Sequence, residues 1–369
     1  MKIKLVTIIG TRPEIIKLSR VIMKCDKFFN HKIVHTGQNY DYELNQIFFE
    51  DLGIRKPDHF LDVKGNDLGE SIGNVISKSF KVLSKLNPDC ILILGDTNSC
   101  LSAISAKRLK IPIFHLEAGN RCFDQNVPEE INRKIVDHIS DINLTYTENA
   151  RKYLLMEGIR KDFIFNIGSP MKEILTFYED KISASTILNK LSLKPDNFIV
   201  VSIHREENLE NSNNFNEILK TLDTIVKLKD KKIIFSTHPR TKKKLKELNR
   251  DYDSKIEFIN PLGFFDYISL QVNSFVTLSD SGTLAEESSL LKFPAVSIRN
   301  STERPEAIDS GNLILGSVDE KNILNSIELA INLKSASEPI DYDSPDCSDR
   351  IVKIIQGYTS VVNSEVWKK

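Results

Sequence analysis

The sequence has few cysteines and no long apolar run, and each shortage excludes a class of protein. No CxxC pair occurs among the five cysteines, so neither a zinc knuckle nor a disulfide framework is indicated; they are Cys25, Cys90, Cys100, Cys122 and Cys347. No apolar stretch reaches the roughly 18 residues of a membrane-spanning helix. The apolar start of the chain ends at Gly10, after about six residues, too short for a signal-peptide core. We therefore expect a cytoplasmic protein with reduced thiols.

An excess of charge of either sign is also missing. The chain has 50 Lys+Arg against 51 Asp+Glu, a formal net charge of -1. Nucleic-acid binders carry a basic patch or stripe, so no nucleic-acid partner is expected. The Lys-rich run 227–246 is interpreted as a solvated helix face. At 369 residues the chain is too long for one ordinary core, which favours two domains.

Short apolar runs rich in Val and Ile alternate with longer amphipathic segments. The runs are apolar throughout rather than at every second residue, which is typical of buried parallel strands covered by helices on both faces. Helices are predicted at 14–24, 68–85 and 351–358. Two sets of six strands are predicted, at 4–9, 32–35, 90–94, 113–116, 142–146 and 163–167, and at 198–203, 232–236, 255–259, 275–278, 295–298 and 313–315. The pattern predicts an α/β protein with two doubly wound, Rossmann-like domains.

The domain boundary is placed where a predicted strand ends in turn residues. Gly168-Ser169-Pro170 fits this description, so domains are predicted at 1–168 and 169–349. The segment 350–369, which contains the last predicted helix, comes after the second domain in the chain.

Ligands of open α/β sheets bind beyond the carboxyl ends of the strands, where this sequence is unusually polar. The first such site is Gly10-Thr11-Arg12-Pro13-Glu14. Gly10 allows a close turn, Pro13 can begin a helix, and Arg12 beside the helix N-terminus suits a phosphate. A capped turn with a surface arginine explains the segment equally well. It is not GxGxxG, so the usual dinucleotide fingerprint is absent.

Three carboxylates follow strands of the first set. Asp96 follows one apolar run, Glu117 follows the next, and Glu129 opens a helix beyond it. Asp96 alone is read more simply as a helix cap, and one acid of the pair Glu129-Glu130 as a favourable charge in a first helical turn. Together the three would converge on one crevice, where crowded carboxylates can act as general acids and bases.

The second set of strands carries a histidine and a small-residue turn at equivalent places. His204 follows the run 198–203, and His238 is a weaker example of the same kind. A lone histidine is often structural, so a catalytic role is one of two readings. Ser281-Gly282-Thr283 leads into a helix containing Glu286 and Glu287, where backbone amides can meet a pyrophosphate and an acid can accept from ribose hydroxyls. With Arg304, this indicates a nucleotide-diphosphate site.

Taken in order, the motifs GTRPE, GDT, HLEAG, PEEINR, HREEN, DSGT followed by EE, and STERPEA resemble those of the non-hydrolysing UDP-N-acetylglucosamine 2-epimerases over nearly the whole chain. The resemblance implies a GT-B-like pair of Rossmann-like domains, an active site in the interdomain cleft, and a last helix that packs back on the first domain. It implies no metal and no cofactor, a UDP-N-acetylhexosamine substrate and a homodimer.

Site residues follow from the resemblance motif by motif. The implied catalytic residues are Asp96, Glu117, Glu129 and His204. The implied UDP-sugar contacts are Arg12, Lys17, Leu262, Tyr267, Ser281, Gly282, Thr283, Glu287 and Arg304. The C2 proton of such a sugar is not acidic. The family therefore eliminates UDP to give a glycal and adds it back with protonation on the other face of C2.

Two segments depart from the common family pattern. Asn39 stands where substrate-activated bacterial members have a histidine, and 119–126 differs from their Gly-Leu-Arg-Thr loop. The latter resembles the subgroup that forms UDP-N-acetyl-L-fucosamine from a 6-deoxy-L-talose derivative. A GT-B glycosyltransferase is a more distant alternative with the same nucleotide site.

Overall fold

The chain folds into two compact units. The structure, a computed structural model, describes residues 2–37, 48–248, 250–333 and 337–369. The first unit comprises Met1–Thr176 together with Asp341–Lys369, and the second comprises Phe177–Ile340. The predicted boundaries at 168 and 349 differ from this division. The reason is that helix Met171–Phe177 and the segment before the last helix are both bonded to the first unit. Glu173 of that helix accepts from Ser348 N of the last helix at 2.8 Å, and Asp341 Oδ1 of the segment accepts from Asn166 Nδ2 at 2.9 Å.

The first unit contains a parallel sheet of seven strands in the order β3-β2-β1-β4-β5-β6-β7. The strands are β1 Lys4–Ile9, β2 Asn30–His35, β3 His59–Phe60, β4 Cys90–Leu94, β5 Ile113–Leu116, β6 Ile142–Thr145 and β7 Ile164–Asn166. Six strands are predicted from the sequence. The seventh, β3, is a two-residue edge strand that carries no apolar run by which it could be recognised.

The second unit contains a parallel sheet of six strands in the order β10-β9-β8-β11-β12-β13. The strands are β8 Phe198–Ser202, β9 Lys232–Ser236, β10 Ile256–Ile259, β11 Val276–Ser279, β12 Ala295–Ser297 and β13 Ile314–Leu315. In both sheets the strand order reverses beside the first strand, which creates a crevice at the carboxyl ends. The predicted α/β class with two Rossmann-like sheets is confirmed.

Helices connect the strands of both sheets. Those of the first unit are α1 Arg12–Phe28, α2 Leu68–Leu86, α3 Ser102–Arg108, α4 Pro128–Ile139, α5 Glu148–Met156, α6 Met171–Phe177 and the last helix, α16 Cys347–Glu365. Those of the second unit are α7 Glu179–Ser183, α8 Ile187–Lys190, α9 Glu206–Leu209, α10 Ser212–Lys229, α11 Pro239–Leu248, α12 Phe264–Val272, α13 Leu284–Leu291, α14 Glu306–Asp309 and α15 Glu320–Asn332.

Helix α1 shows how the sequence produces these elements. Pro13 occupies its first turn, where the missing N–H is not needed. Apolar side chains at Ile15, Leu18 and Ile22 recur at helical spacing and are fully buried. The opposite end of the helix is anchored by Lys24, whose Nζ lies 2.7 Å from Asp349 Oδ1 of α16. The last helix therefore packs on α1 within the first unit.

Among the described residues no helix is long and apolar enough to cross a membrane.

Gly10 provides a test of packing at the carboxyl end of β1. A Cβ there would overlap with the hydroxyl oxygens of Ser99 and Thr36, which bond each other at 2.9 Å in the buried interior. We expect Gly10→Ala to lower the free energy of unfolding by about 1–3 kcal/mol through overpacking. Gly73, on an exposed part of α2 with no atom within 4 Å of its Cβ position, is the control. Gly73→Ala should instead stabilise the protein by about 0.5–1 kcal/mol. Urea unfolding measures the free energy of unfolding of both variants. A stabilised Gly10→Ala with a destabilised Gly73→Ala would contradict the argument.

Candidate active site

The carboxyl ends of β4 and β5 bring two predicted carboxylates together. Leu94 pairs with Leu116 in the parallel register, and the Gly95 amide continues the pairing to Leu116 O at 2.9 Å. Asp96 and Glu117 therefore leave the sheet from adjacent positions. The Glu117 carboxylate lies close to Gly95, 4.0 Å from the place a Cβ would occupy.

Asp96 is held by an arginine and does not cap the next helix. Arg133 Nε and Nη2 both lie 2.7 Å from Asp96 Oδ2. The short 3-10 helix Asn98–Leu101 has Thr97 as its N-cap residue instead. The capping interpretation of Asp96 is therefore wrong, and the side chain, about a quarter exposed (23%), is available at the sheet edge.

Glu117 is paired with Lys17 of α1. Their Nζ and Oε2 atoms lie 2.7 Å apart, and both side chains are more than nine-tenths buried. Glu117 also has φ 67°, a left-handed conformation that is uncommon outside glycine and that costs a non-glycine residue about 1 kcal/mol or more. Such strain is often found where a side chain must point in a defined direction. Lys17, predicted as a UDP contact, thus lies beside a predicted catalytic carboxylate.

The two acids that open α4 differ in burial. Glu129 is half-buried in the first turn. Glu130 is fully buried and accepts from the amides of Cys122 and Phe123 at 3.1 and 3.2 Å. Burial alone would raise the pKa of Glu130, but the Cys122 amide and the Arg133 guanidinium outweigh it and lower that pKa. Of the pair, Glu130 is the acid that organises the preceding loop.

Glu14, in the first turn of α1, is a further buried acid that the sequence analysis did not single out. Its carboxylate accepts from the Gly10 and Thr11 amides and from the Thr97 hydroxyl, joining the ends of β1 and β4. Burial raises the pKa of Glu14 to about 7 despite these bonds. Arg12 begins α1 at the same turn, half-buried, with its guanidinium 5.8 Å from the Phe48 ring centroid.

In the second unit, the same parallel geometry pairs His204 with Asp280. Ser202 of β8 is in register with Ser279 of β11, so the residues that follow lie side by side. His204 Nδ1 is 3.1 Å from Asp280 Oδ1. Burial would raise the pKa of Asp280, but His204, the Arg205 amide and the Asn208 side chain lower it to about 2. His204, whose side chain is 39% exposed, is therefore oriented by a buried carboxylate, with the His238 ring centroid 6.3 Å away.

The turn Ser281-Gly282-Thr283 leads directly into α13. A Cβ at Gly282 would lie 2.6 Å from Glu303 Oε1 and 3.3 Å from Arg304 Nε, so only glycine fits between these side chains. The hydroxyls of Ser281 and Thr283 are 3.0 Å apart. Backbone amides, hydroxyls and a guanidinium are thus concentrated at one helix N-terminus, as an anionic group requires.

Two acids of α13 are fixed by polar partners. Arg304 Nη1 donates to Glu286 at 2.9 Å, and Gln271 Nε2 donates to Glu287 at 2.9 Å. Leu262 and Tyr267, predicted as UDP-sugar contacts, are partly buried against the cluster of Phe198, Val200 and Leu270. Burial of the hydroxyl and the Glu287 carboxylate raise the pKa of Tyr267 well above its usual value.

The predicted site residues therefore form two groups, one in each unit. The first contains Arg12, Lys17, Asp96, Glu117 and Glu129; the second contains His204, Leu262, Tyr267, Ser281, Gly282, Thr283, Glu287 and Arg304. Asn39 lies outside the described residues. Sequence reasoning missed Glu14, Arg133 and Asp280, although each belongs to a quoted motif. The described residues contain no group of three or more potential metal ligands.

Two parallel sheets, with acids and cations at one carboxyl edge and a Ser-Gly-Thr turn into a helix at the other, define a protein of the two-Rossmann, GT-B-like class. The family model described as UDP-N-acetylglucosamine 2-epimerase matches residues 22–356. The chain belongs to the UDP-N-acetylglucosamine 2-epimerase family, which confirms the resemblance at the family level.

Relatives and solved structures match over nearly the whole chain. The UDP-N-acetylglucosamine 2-epimerase of Methanocaldococcus jannaschii is 37% identical over 95% of this chain and 98% of that protein. The structure of UDP-N-acetylglucosamine 2-epimerase from Rickettsia bellii is similar with a TM-score of 0.92, 48% identity and 100% coverage of both chains. That of the Methanocaldococcus jannaschii enzyme in complex with UDP-GlcNAc and UDP has a TM-score of 0.91 at 36% identity, covering 96% of this chain and 99% of that one.

Glu14 should make stability depend on pH near neutrality. Its folded-state pKa of about 7 lies above the ordinary value of 4.5, so the folded state holds the proton longer than the unfolded chain. Stability from this group is therefore present at about pH 4.5 and is lost as the pH rises toward 7, by at most about 3 kcal/mol. Urea unfolding at pH 5 and pH 8 should show a steeper loss for the wild type than for Glu14→Gln. Equal losses would contradict the assignment.

Proposed function

We propose that the protein epimerises a UDP-N-acetylhexosamine at C2, interconverting UDP-GlcNAc and UDP-ManNAc by elimination and re-addition of UDP. The enzyme would be an isomerase that supplies precursors for cell-surface polysaccharides. The observation that carries the proposal is the arrangement at the first sheet edge: Asp96 and Glu117 leave adjacent strands, each beside its own cation. Family membership and the UDP-GlcNAc bound to the Methanocaldococcus jannaschii enzyme support the choice of substrate.

The chemistry explains why several carboxylates are needed. The C2 proton is not acidic until the C1–O bond to UDP begins to break and positive character develops at C1. A base then removes the proton, a glycal forms, and an acid on the opposite face returns a proton to C2 while UDP adds back. General acid–base groups typically contribute about 10²–10⁴-fold each. We propose Asp96, Glu117, Glu129 and His204 for these roles.

Re-addition requires that UDP does not leave during the glycal stage. We propose that Ser281, Gly282 and Thr283 bind the diphosphate with Arg304, and that Glu287 accepts from the ribose. Leu262, through its backbone, and Tyr267, by packing, are proposed to hold the uracil; Arg12 and Lys17 are proposed as further UDP contacts. The proposal uses no metal and no cofactor.

A homodimer in the cytoplasm is the proposed working state. Ile131 and Ile135 lie one turn apart on α4 and are 52% and 38% exposed, an apolar surface that a second copy would cover. All five cysteines are free thiols, four of them buried, which suits a reducing compartment.

Solvent isotope exchange tests the reaction class. In deuterated water we expect one deuterium at C2 of both UDP-GlcNAc and UDP-ManNAc, detected by NMR and mass spectrometry, because the proton is removed and returned from solvent-exchanging groups. A GT-B glycosyltransferase would leave C2 protiated, and a hydrolysing epimerase would release free UDP in step with turnover. Either result would overturn the proposal. The same assay with UDP-6-deoxy-L-hexosamines would rank the sugars.

The carboxylates should be needed for turnover and not for UDP binding. We expect Asp96→Asn and Glu117→Gln each to lower kcat by about 10²–10⁴-fold, while calorimetry shows UDP affinity within a few-fold of the wild type. Glu148→Gln is the control, because Glu148 is 47% exposed with Arg151 as its partner at 3.8 Å. Retained turnover in either site variant, or loss of folding by circular dichroism, would contradict the assigned role.

A further inference from the structure

Arg133 lies between a proposed catalytic carboxylate and a loop. Its side chain is buried, with only 3% of its surface exposed. On one side Nε and Nη2 contact Asp96 Oδ2, each at 2.7 Å; on the other, Nη1 contacts Glu130 Oε2 at 2.9 Å. The planar fork of arginine can satisfy two carboxylates at once in fixed directions, which the single ammonium of lysine cannot.

The contacts on Asp96 are one-sided. Both arginine nitrogens bond Oδ2, and Asn132 Nδ2 donates to the backbone carbonyl of Asp96 at 2.8 Å. Within the part of the chain that the structure describes, Oδ1 accepts no hydrogen bond. The arrangement fixes the plane of the carboxylate and leaves one oxygen for a reacting proton.

Glu130 joins this pair to the loop 119–126. Its oxygens accept from the Cys122 and Phe123 amides at 3.1 and 3.2 Å. Phe123 has φ 58° and is 62% exposed. A non-glycine residue in this conformation persists only when its surroundings hold it there. Asp137 and Glu157 hold the start of the loop through Gly119 and Arg121, and the bonds to Glu130 fix its path at Cys122 and Phe123.

We propose that Arg133 is a positioning residue for Asp96, and that through Glu130 it couples the conformation of the loop 119–126 to the orientation of that carboxylate. The inference rests on the proposed function in one respect, the role of Asp96 in proton transfer. Arg133 contacts no reacting atom; it acts by holding Oδ1 of Asp96 where the C2 proton must pass. An error of about 1 Å in such a group can cost about 10²-fold in rate, so the effect falls on kcat rather than on KM.

A double-mutant cycle tests the positioning role. We expect Arg133→Met to lower kcat about 100-fold with KM changed by less than about 3-fold, and Arg133→Lys to lose less. In an Asp96→Asn background the same change should cost nothing further, because residues that act through one another are not additive. Multiplicative losses, or a raised KM with unchanged kcat, would overturn the inference.

Lys107→Met is the control for loss of a cation that is paired with a buried carboxylate. Lys107 Nζ lies 2.6 Å from the buried Asp141, which precedes β6 at the opposite end of the same sheet. This variant should lower the unfolding temperature while leaving kcat and its dependence on Asp96 unchanged. If it reproduced the kinetic pattern of Arg133→Met, the effect would be general destabilisation and the inference would fail.

Amide hydrogen exchange tests the loop coupling without turnover. We expect both Glu130→Gln, which is close to isosteric and keeps an acceptor, and Arg133→Met to speed exchange in peptides that contain Cys122 and Phe123, whereas Lys107→Met does not. Glu130→Gln should also lower kcat by about 10-fold or more. Unchanged loop exchange in both variants would overturn the coupling. If the wild type incorporates no deuterium at C2, the proposed function is overturned instead. The amide hydrogen exchange experiment would still decide whether the loop is coupled to Arg133.

Discussion

In each sheet, two neighbouring parallel strands end at the same level, and both groups of proposed site residues depend on this constraint. Because Leu94 lies opposite Leu116, the chain must release Asp96 and Glu117 at neighbouring points. The same rule acts in the second sheet, where Ser202 opposite Ser279 brings His204 beside Asp280. Neither pair is close in sequence. Their proximity is a property of backbone hydrogen bonding, so chemistry at these edges tolerates wide variation in the helices between the strands.

The second requirement is a cation beside each buried carboxylate, because an unpaired charge is costly away from water. Lys17, Arg133 and Arg304 each face a carboxylate at 2.7–2.9 Å. Removing two charges from water costs about as much as their attraction returns, so these pairs add little net stability. Their effect is directional: each cation fixes where an acid points. Glu14 is different, since its carboxylate accepts from two amides and a hydroxyl, and burial raises its pKa.

Much of the fold could be predicted from the sequence, because twelve of the strands are apolar runs with buried faces. The edge strand His59–Phe60 could not, since two residues carry no periodicity. Several of the predicted site residues were recognisable as chemical groups after predicted strands, and Asp96, Glu117 and His204 follow β4, β5 and β8. Arg133 and Asp280 were harder, because their partners lie far along the chain. The capping interpretation of Asp96 failed for that reason: the long-range arginine competes with the local amides.

The path of the chain between the units has a consequence for biosynthesis. The first unit starts at the N-terminus but also contains Asp341–Lys369, while the second unit is one uninterrupted segment, Phe177–Ile340. On the ribosome, the second unit is complete while the first still lacks α16 and two bonds, from Ser348 N to Glu173 and from Lys24 Nζ to Asp349. The unit that begins first therefore finishes last. The face of α1 that α16 covers therefore stays exposed on a nascent chain until α16 has been made, and exposed apolar surface of this kind is prone to aggregation.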